Sequence, residues 1–298
     1  MRHLTFALAI AALGPPVAGA QRVPGRDLVQ FPVAGLDRPA ALGTDLADGL
    51  GNPSTLVVLA GAKLRVGAAA LQTPEELAVA AQLLAGAYSL SERTVLGLSA
   101  AHWSVDDIPL TTTSPEVTDS DVSYRTVLVS VTAARRNTKH VSVGLALRAR
   151  MGSAAGSRRT APAADAGLLV DSLWRDARLG VASFLWWPGQ TEDERASIHL
   201  AGDLRVWGTT ALREARAGLA VDFTQPDERL EFIFASARTG AVAARLGLAR
   251  TVRWQAGPWR WRIGAGFHYD KYIVGIAREE GAEGIGPVYQ FTLNATYP

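Results

Sequence analysis

Ionisable residues in the second half of the chain recur two positions apart: Arg148 and Arg150, Asp203 and Arg205, Glu214 and Arg216, Arg260 and Arg262. His140 and Ser142 share that spacing, and Asp222 and Asp270 fall on the charged parity of their own segments. Several chemistries could use such residues. A His–Ser pair suits an ester hydrolase. Imidazoles and carboxylates can hold a metal, and Glu279, Glu280 and Glu283 in "REEGAEG" could bind calcium. A row of charges could line a path for a solute. However, His102, His140, His199 and His268 stand far apart, and no pair has metal-ligand spacing. "GAGFHYDK" lacks the residues of a phosphate-binding loop, and its glycines fit strand positions where a wall bends. The glutamates of residues 278–284 fit a solvated hairpin tip. His140 and Ser142 lie opposite Val141 and Val143, the side on which a lipid hydrolase would need them. The expectation is therefore no catalytic residue, no cofactor and no metal. His140, Arg148, Arg150, Asp203, Arg205, Glu214, Arg216, Asp222, Arg260, Arg262 and Asp270 are expected to line a polar interior, paired with one another and with whatever fills it.

A spacing of two belongs to a β-strand, whose side chains alternate between faces. "WRWRIGAGFHYDKY" (259–272) places Trp259, Trp261, Ile263, Ala265, Phe267 and Tyr269 on one face. Arg260, Arg262, Gly264, Gly266, His268 and Asp270 take the other. Residues 140–151, 199–207 and 214–223 alternate in the same way, and period two held over 9–14 residues is a strand signal. Strands are expected over roughly 62–72, 77–90, 92–104, 121–135, 138–151, 163–172, 177–187, 193–206, 208–223, 227–237, 240–253, 257–269, 271–279 and 284–297. Residues 105–120 and 152–162 read as longer polar loops, whereas Gly189–Gln190 and Thr239–Gly240 read as tight turns. Arg213, Arg245 and Arg250 do not sit cleanly on the charged parity.

Composition narrows the setting. The chain has 298 residues, 48% hydrophobic and 19% charged, with a net charge of +2 and no Cys. Lys63, Lys139 and Lys271 are its only lysines, and no basic block suggests nucleic acid. "MRHLTFALAIAALGPPVAGA" has a positive start, a short apolar core and Ala18-Gly19-Ala20 before Gln21, the pattern of an export signal cleaved near Ala20. No later stretch has the ~20 apolar residues of a spanning helix, so membrane crossing would fall to the strands.

The charged face carries Arg, His, Asp, Glu and Gly, which suit a confined wet interior better than bulk water. The apolar face ends in Trp103, Trp174, Trp186, Trp187, Trp207, Trp254, Trp259, Trp261, Tyr272 and Tyr289, as at a lipid–water boundary. The fold class expected is all-β: a transmembrane antiparallel up-and-down β-barrel of about fourteen strands over residues 62–298, in the bacterial outer membrane. Charged substitutions at Leu145, Leu219 or Ile263 should block assembly, while those at Gly144 or Ala220 should be milder.

Residues 21–61 are rich in Ala, Gly, Leu and Asp and are expected to pack inside the barrel as a plug. Asn52 and Pro53 should fix a bend there. Gly43, Asp45, Ala47, Asn52, Pro53 and Leu56 resemble the start of the FadL and PorV-like outer-membrane barrels, with Ser54 in place of the usual Ala. Tyr272, Gly275, Gly284, Gly286, Tyr289 and Phe291 resemble their last hairpin and closing strand, although Pro298 follows Tyr297 here. The resemblance implies fourteen strands, a plug turn held by Asn52, Pro53 and Ser54, and passive uptake of small hydrophobic molecules. Its PorV side implies an accessory barrel of type IX secretion that binds exported proteins; a structural wall protein is a third reading. Outer-membrane lipid, the barrel assembly machinery, and either hydrophobic cargo or secretion proteins would be the partners.

Overall fold

A computed structural model describes residues 23–43, 45–59, 61–109, 121–172, 174–187, 195–210, 212–225, 227–281 and 285–298. The leader expected at residues 1–20, the Gly189–Gln190 turn and Gly284 lie outside them.

Fourteen strands form one closed antiparallel barrel in simple chain order. They are β1 (Leu64–Gln72), β2 (Val79–Ser91), β3 (Thr94–Pro109), β4 (Asp121–Arg136), β5 (Val141–Ala154), β6 (Ser157–Val170) and β7 (Arg178–Trp186). There follow β8 (Ser197–Thr210), β9 (Arg213–Gln225), β10 (Glu228–Thr239), β11 (Val242–Val252), β12 (Arg260–Tyr269), β13 (Tyr272–Glu279) and β14 (Val288–Tyr297). Closure joins β1 to β14, with Leu64 opposite Tyr297 and Gln72 opposite Tyr289. No edge is left, so the main-chain polar groups are satisfied within the wall, as lipid requires. One rim carries tight turns such as Thr239 to Val242 and Tyr269 to Tyr272; the other carries the longer connections 110–120, 187–196 and 280–287. Outer-membrane barrels turn their short connections to the periplasm and their long ones outward.

Residues 152–162 differ from the sequence reading. They form not a loop but the top of a hairpin, with Ala155 and Gly156 alone at its tip.

The outer face is apolar. Leu145, Leu147, Leu219, Ile263, Phe267, Ile276 and Phe291 all point outward, with Leu147 71% exposed. Trp186, Trp207, Trp254, Trp259, Tyr269, Tyr272 and Tyr289 are exposed near the strand ends, and the Lys271 ammonium lies 5.4 Å and 5.1 Å from the ring centres of Tyr272 and Tyr297. Such rings and cations suit the interface on either side of a hydrocarbon layer. The misfit arginines are explained by position. Arg245 turns inward to Asp37. Arg250 is external near the end of β11, 2.7 Å from Glu231 and 4.5 Å over the ring of Trp259. Arg213 begins β9 at the rim. Charges at these depths cost little.

Residues 23–59 run through the barrel interior as short 3-10 turns: Asp27–Gln30, Ala40–Leu42, Leu46–Leu50 and Pro53–Leu59. Val33, Leu46, Leu56 and Val57 are buried against inward wall residues such as Leu71, Leu83, Val95 and Leu128. The interior is therefore not uniformly ionic, because the plug supplies its own apolar side chains and shares a core with the wall. Trp103 is the plainest correction: it is 1% exposed and faces inward, with Nε1 donating to the Phe31 carbonyl at 3.0 Å.

Candidate functional site

The plug is held at its bend by Asn52. Its Oδ1 accepts from Ser54 N at 3.0 Å and Ser54 Oγ at 2.7 Å, while its Nδ2 donates to the Ala41 carbonyl at 2.7 Å. Pro53 then opens the last 3-10 turn, and Thr55 Oγ1 donates to the Asn52 carbonyl at 2.8 Å. The bend lies flat on bare main chain. A Cβ at Gly144 would come 2.4 Å from the Pro53 and Ser54 backbone, and one at Gly167 2.0 Å from Asn52 Oδ1. The mild outcome expected for substitution at Gly144 is therefore reversed: any side chain there strikes plug backbone.

A second fastening is ionic. Arg38 lies 2.8 Å from Asp45, 2.9 Å from Asp48 and 3.3 Å from Asp37, and Arg245 of β11 reaches Asp37 at 3.0 Å. Burial pushes the Asp37 and Asp45 carboxyls up, but Arg38 and Arg245 outweigh it and hold both below the ordinary 3.8. Asp37 fits because β12 offers it a glycine: a Cβ on Gly264 would come 1.7 Å from its Oδ2.

Most of the charges read as interior are found there and are paired. Asp203 binds Arg178 and Arg216 (Nη2 at 2.7 Å), and Glu214 binds Arg205 at 3.2 Å. Arg148 pairs with Asp165, donates to Ser130 Oγ at 2.8 Å and to the plug at the Leu50 carbonyl. Arg150 donates to the Val23 carbonyl at 3.2 Å. Glu279 takes Arg262 and Arg260. Asp222 meets His199 at 3.0 Å. Two residues are elsewhere. Asp270 is exposed in the two-residue turn between β12 and β13, at a φ of 51°; the alternating pattern ran one residue past the strand. His140 sits at the short-turn rim, its Nδ1 3.1 Å from the Asp171 carbonyl.

Between plug and wall, in the long-loop half, lies a cavity of about 150 Å³. Val29, Phe31 and Val33 of the plug line it with Trp103, Phe184 and Leu185 of the wall; Arg26, Arg38 and Asp48 of the plug join Ser197, His199, Asp222, Thr224 and Arg262 of the wall on its polar side. An adjoining space of about 230 Å³, bordered by Gly281, Ile285 and Gly286, shares Phe31, Leu230 and Arg262 with it and adds Glu228, Arg260, Glu279 and Glu280. The wall beside the inner cavity is irregular. Between Ala164 and Ala166 of β6, β7 inserts an extra residue, so Phe184 and Leu185 both turn inward and Leu185 has a φ of 57°. Asp165 accepts from Leu185 N at 2.7 Å, and the Arg148 guanidinium lies 4.9 Å over the Phe184 ring. A bulge that re-aims side chains next to a site is a common use of this irregularity.

Trp103 is expected at the outer belt and found inside, and the sequence assigns no role to Phe184, Leu185 or His199. Parity could have found two of them. Trp103 alternates with Gly97 and Ser99 against outward Leu96 and Leu98, and His199 shares the face of Asp203 and Arg205. The bulge leaves no sequence signal.

The architecture is that of a closed fourteen-stranded antiparallel barrel with an N-terminal segment packed inside it. No protein-family model matches the chain, and no curated protein does. Solved structures do. It is similar to the Ralstonia pickettii toluene transporter TbuX, with a TM-score of 0.66 and 11% identity over 90% of this chain and 98% of that one. The Pseudomonas putida toluene transporter TodX superimposes with a TM-score of 0.62 and 10% identity over 87% and 95% of the two chains. A Pseudomonas aeruginosa FadL homologue gives 0.53 and 12% over 89% and 97%. At such identities the likeness is one of fold.

Proposed function

We propose that this barrel sits in the outer membrane and admits small hydrophobic molecules passively. One observation carries the reading: an apolar cavity lies inside the barrel, between plug and wall, and adjoins a more polar space beneath the long loops. A water-filled pore would need no such cavity. An apolar space of about 150 Å³ is large enough to hold a single aromatic ring. The similar solved structures are described as toluene transporters and a FadL homologue, which supports this side of the resemblance over the secretion-accessory one. No chemistry on the solute is needed, and the paired charges serve to fix plug to wall. On the same reading the mature chain starts near Gln21, meets outer-membrane lipid with its apolar face, and is inserted by the barrel assembly machinery.

The test is uptake of labelled toluene by cells with a lipopolysaccharide outer leaflet, with and without the protein. Faster uptake is expected with the protein. Ala34→Phe, which fills the inner cavity from the plug, should return it to background. Uptake unchanged by the protein would contradict the proposal.

A further inference from the structure

Cations are unevenly placed on the short-turn rim. Lys63 precedes β1, Arg93 lies between β2 and β3, Arg135 near the end of β4, and Lys139 between β4 and β5. Their segments adjoin: Ser89 N donates to the Lys63 carbonyl at 2.9 Å, and Arg136 N to the Arg93 carbonyl at 2.8 Å. All four side chains are exposed, and among the described residues none has an ion pair or a hydrogen bond. Residues 61–64, 89–95 and 133–141 contain a single acid, Glu92. Asp171, on the next turn, has Arg178 and Arg136 as its neighbouring cations. Elsewhere on this rim charges alternate in sign: Lys271 follows Asp270, and Arg213 precedes Glu214. The opposite rim differs, since residues 105–121 hold five Asp or Glu and no Lys or Arg.

Toward the membrane the same sector turns apolar. Leu64, Tyr88 and Leu96 are register partners across β1, β2 and β3, all exposed on the outer face. Arg135 lies opposite Thr94, two positions nearer the rim than the Leu96–Ala133 pair and on the same outward parity. Unpaired cations just beyond a hydrocarbon belt, with a tyrosine at the border, stand at the level of lipid headgroups. Short turns face the periplasm, so the lipid at this level is phospholipid of the inner leaflet.

We propose that this sector binds an anionic phospholipid of the phosphatidylglycerol type. Its phosphate lies at Arg93 and Arg135, with Lys63 and Lys139 on either side, and its chains run along Leu64, Tyr88 and Leu96. Arginine offers paired N–H donors to phosphate oxygens. Phosphatidylethanolamine carries its own ammonium into a field of uncompensated cations, which makes it the poorer fit. An acidic protein would match the charge but not the apolar row beside it.

The experiment is native mass spectrometry of the full barrel, released from micelles holding phosphatidylglycerol and phosphatidylethanolamine in equal amounts. Retained phosphatidylglycerol is expected to exceed phosphatidylethanolamine about tenfold. Arg93→Gln/Arg135→Gln/Lys139→Gln should bring the two within about twofold of each other. Lys139→Gln alone, in an exposed turn, should lower the ratio about threefold and covers the case where the triple variant does not assemble. Arg125→Gln/Arg158→Gln/Arg253→Gln removes the same charge from exposed positions at the long-loop rim and should leave the ratio unchanged. Equal retention of the two lipids, a preference that survives the inner-rim variants, or one that the outer-rim variant also abolishes would each overturn the inference. Displacement of the lipid by hexaglutamate at matching concentration would assign the surface to an acidic protein and overturn it as well. Lipid retention is read without any solute, so these outcomes stand apart from uptake.

Discussion

At the scale of single residues, Asn52 and the glycines beneath it determine whether the plug is seated. Asn52 is fully buried and satisfies Ser54 N, Ser54 Oγ and the Ala41 carbonyl together. Asn52→Ala leaves buried polar groups without partners and should cost about 2–3 kcal/mol, measurable by urea unfolding in micelles. Gly144→Ala meets plug backbone at 2.4 Å, whereas Gly266→Ala, also inward, meets nothing nearer than 3.7 Å. The first should destabilise by about 1–3 kcal/mol and the second by much less; equal effects would show that the bend does not rest on β5. The paired charges were legible in the sequence because parity alone places Arg148, Asp203, Arg216 and Arg262 inward. Their partners were less so: Arg148 meets Asp165 from the neighbouring strand, a match set by register. His199 was less legible, since its partner Asp222 is far away in sequence and adjacent only in the ladder.

At the scale of elements, the outward belt and the plug make separate predictions. Leu147→Arg puts a charge into the apolar belt and should cost about 2–4 kcal/mol if its depth is near the bilayer midplane, read as reduced assembly. The plug should be acid-sensitive. Asp37 and Asp45 have folded pKa values below the ordinary 3.8, so their contribution is fully present well above that value. It is lost as pH falls through the depressed folded values. Protease cleavage of the plug should therefore rise below about pH 4, and Asp37→Asn should blunt the response; a plug equally protected at pH 3 and pH 7 would refute it. Strand number and most strand centres were legible from period two. The 152–162 hairpin was not, because Gly152, Gly156 and Pro162 punctuate it like a loop. Pro162 is tolerated because β7 ends at Trp186, opposite Ala164, so a proline there removes no bond to that neighbour. The bulge at Phe184 and Leu185 was illegible for a different reason: alternation has no symbol for two successive inward residues.

At the scale of the molecule, lipid and plug act on the two faces of one wall. The wall closes so that no main-chain group faces hydrocarbon, and its interior is filled by the 3-10 turns of residues 27–59 of the same chain. Plug and wall do not fill the space between them completely, and the inner cavity is the room they leave. Crystals soaked in bromobenzene and measured at the bromine edge test this most directly. An anomalous peak is expected inside the barrel, between Trp103 and Phe184. Bromine confined to the detergent belt, with ordered water filling the inner space, would contradict it.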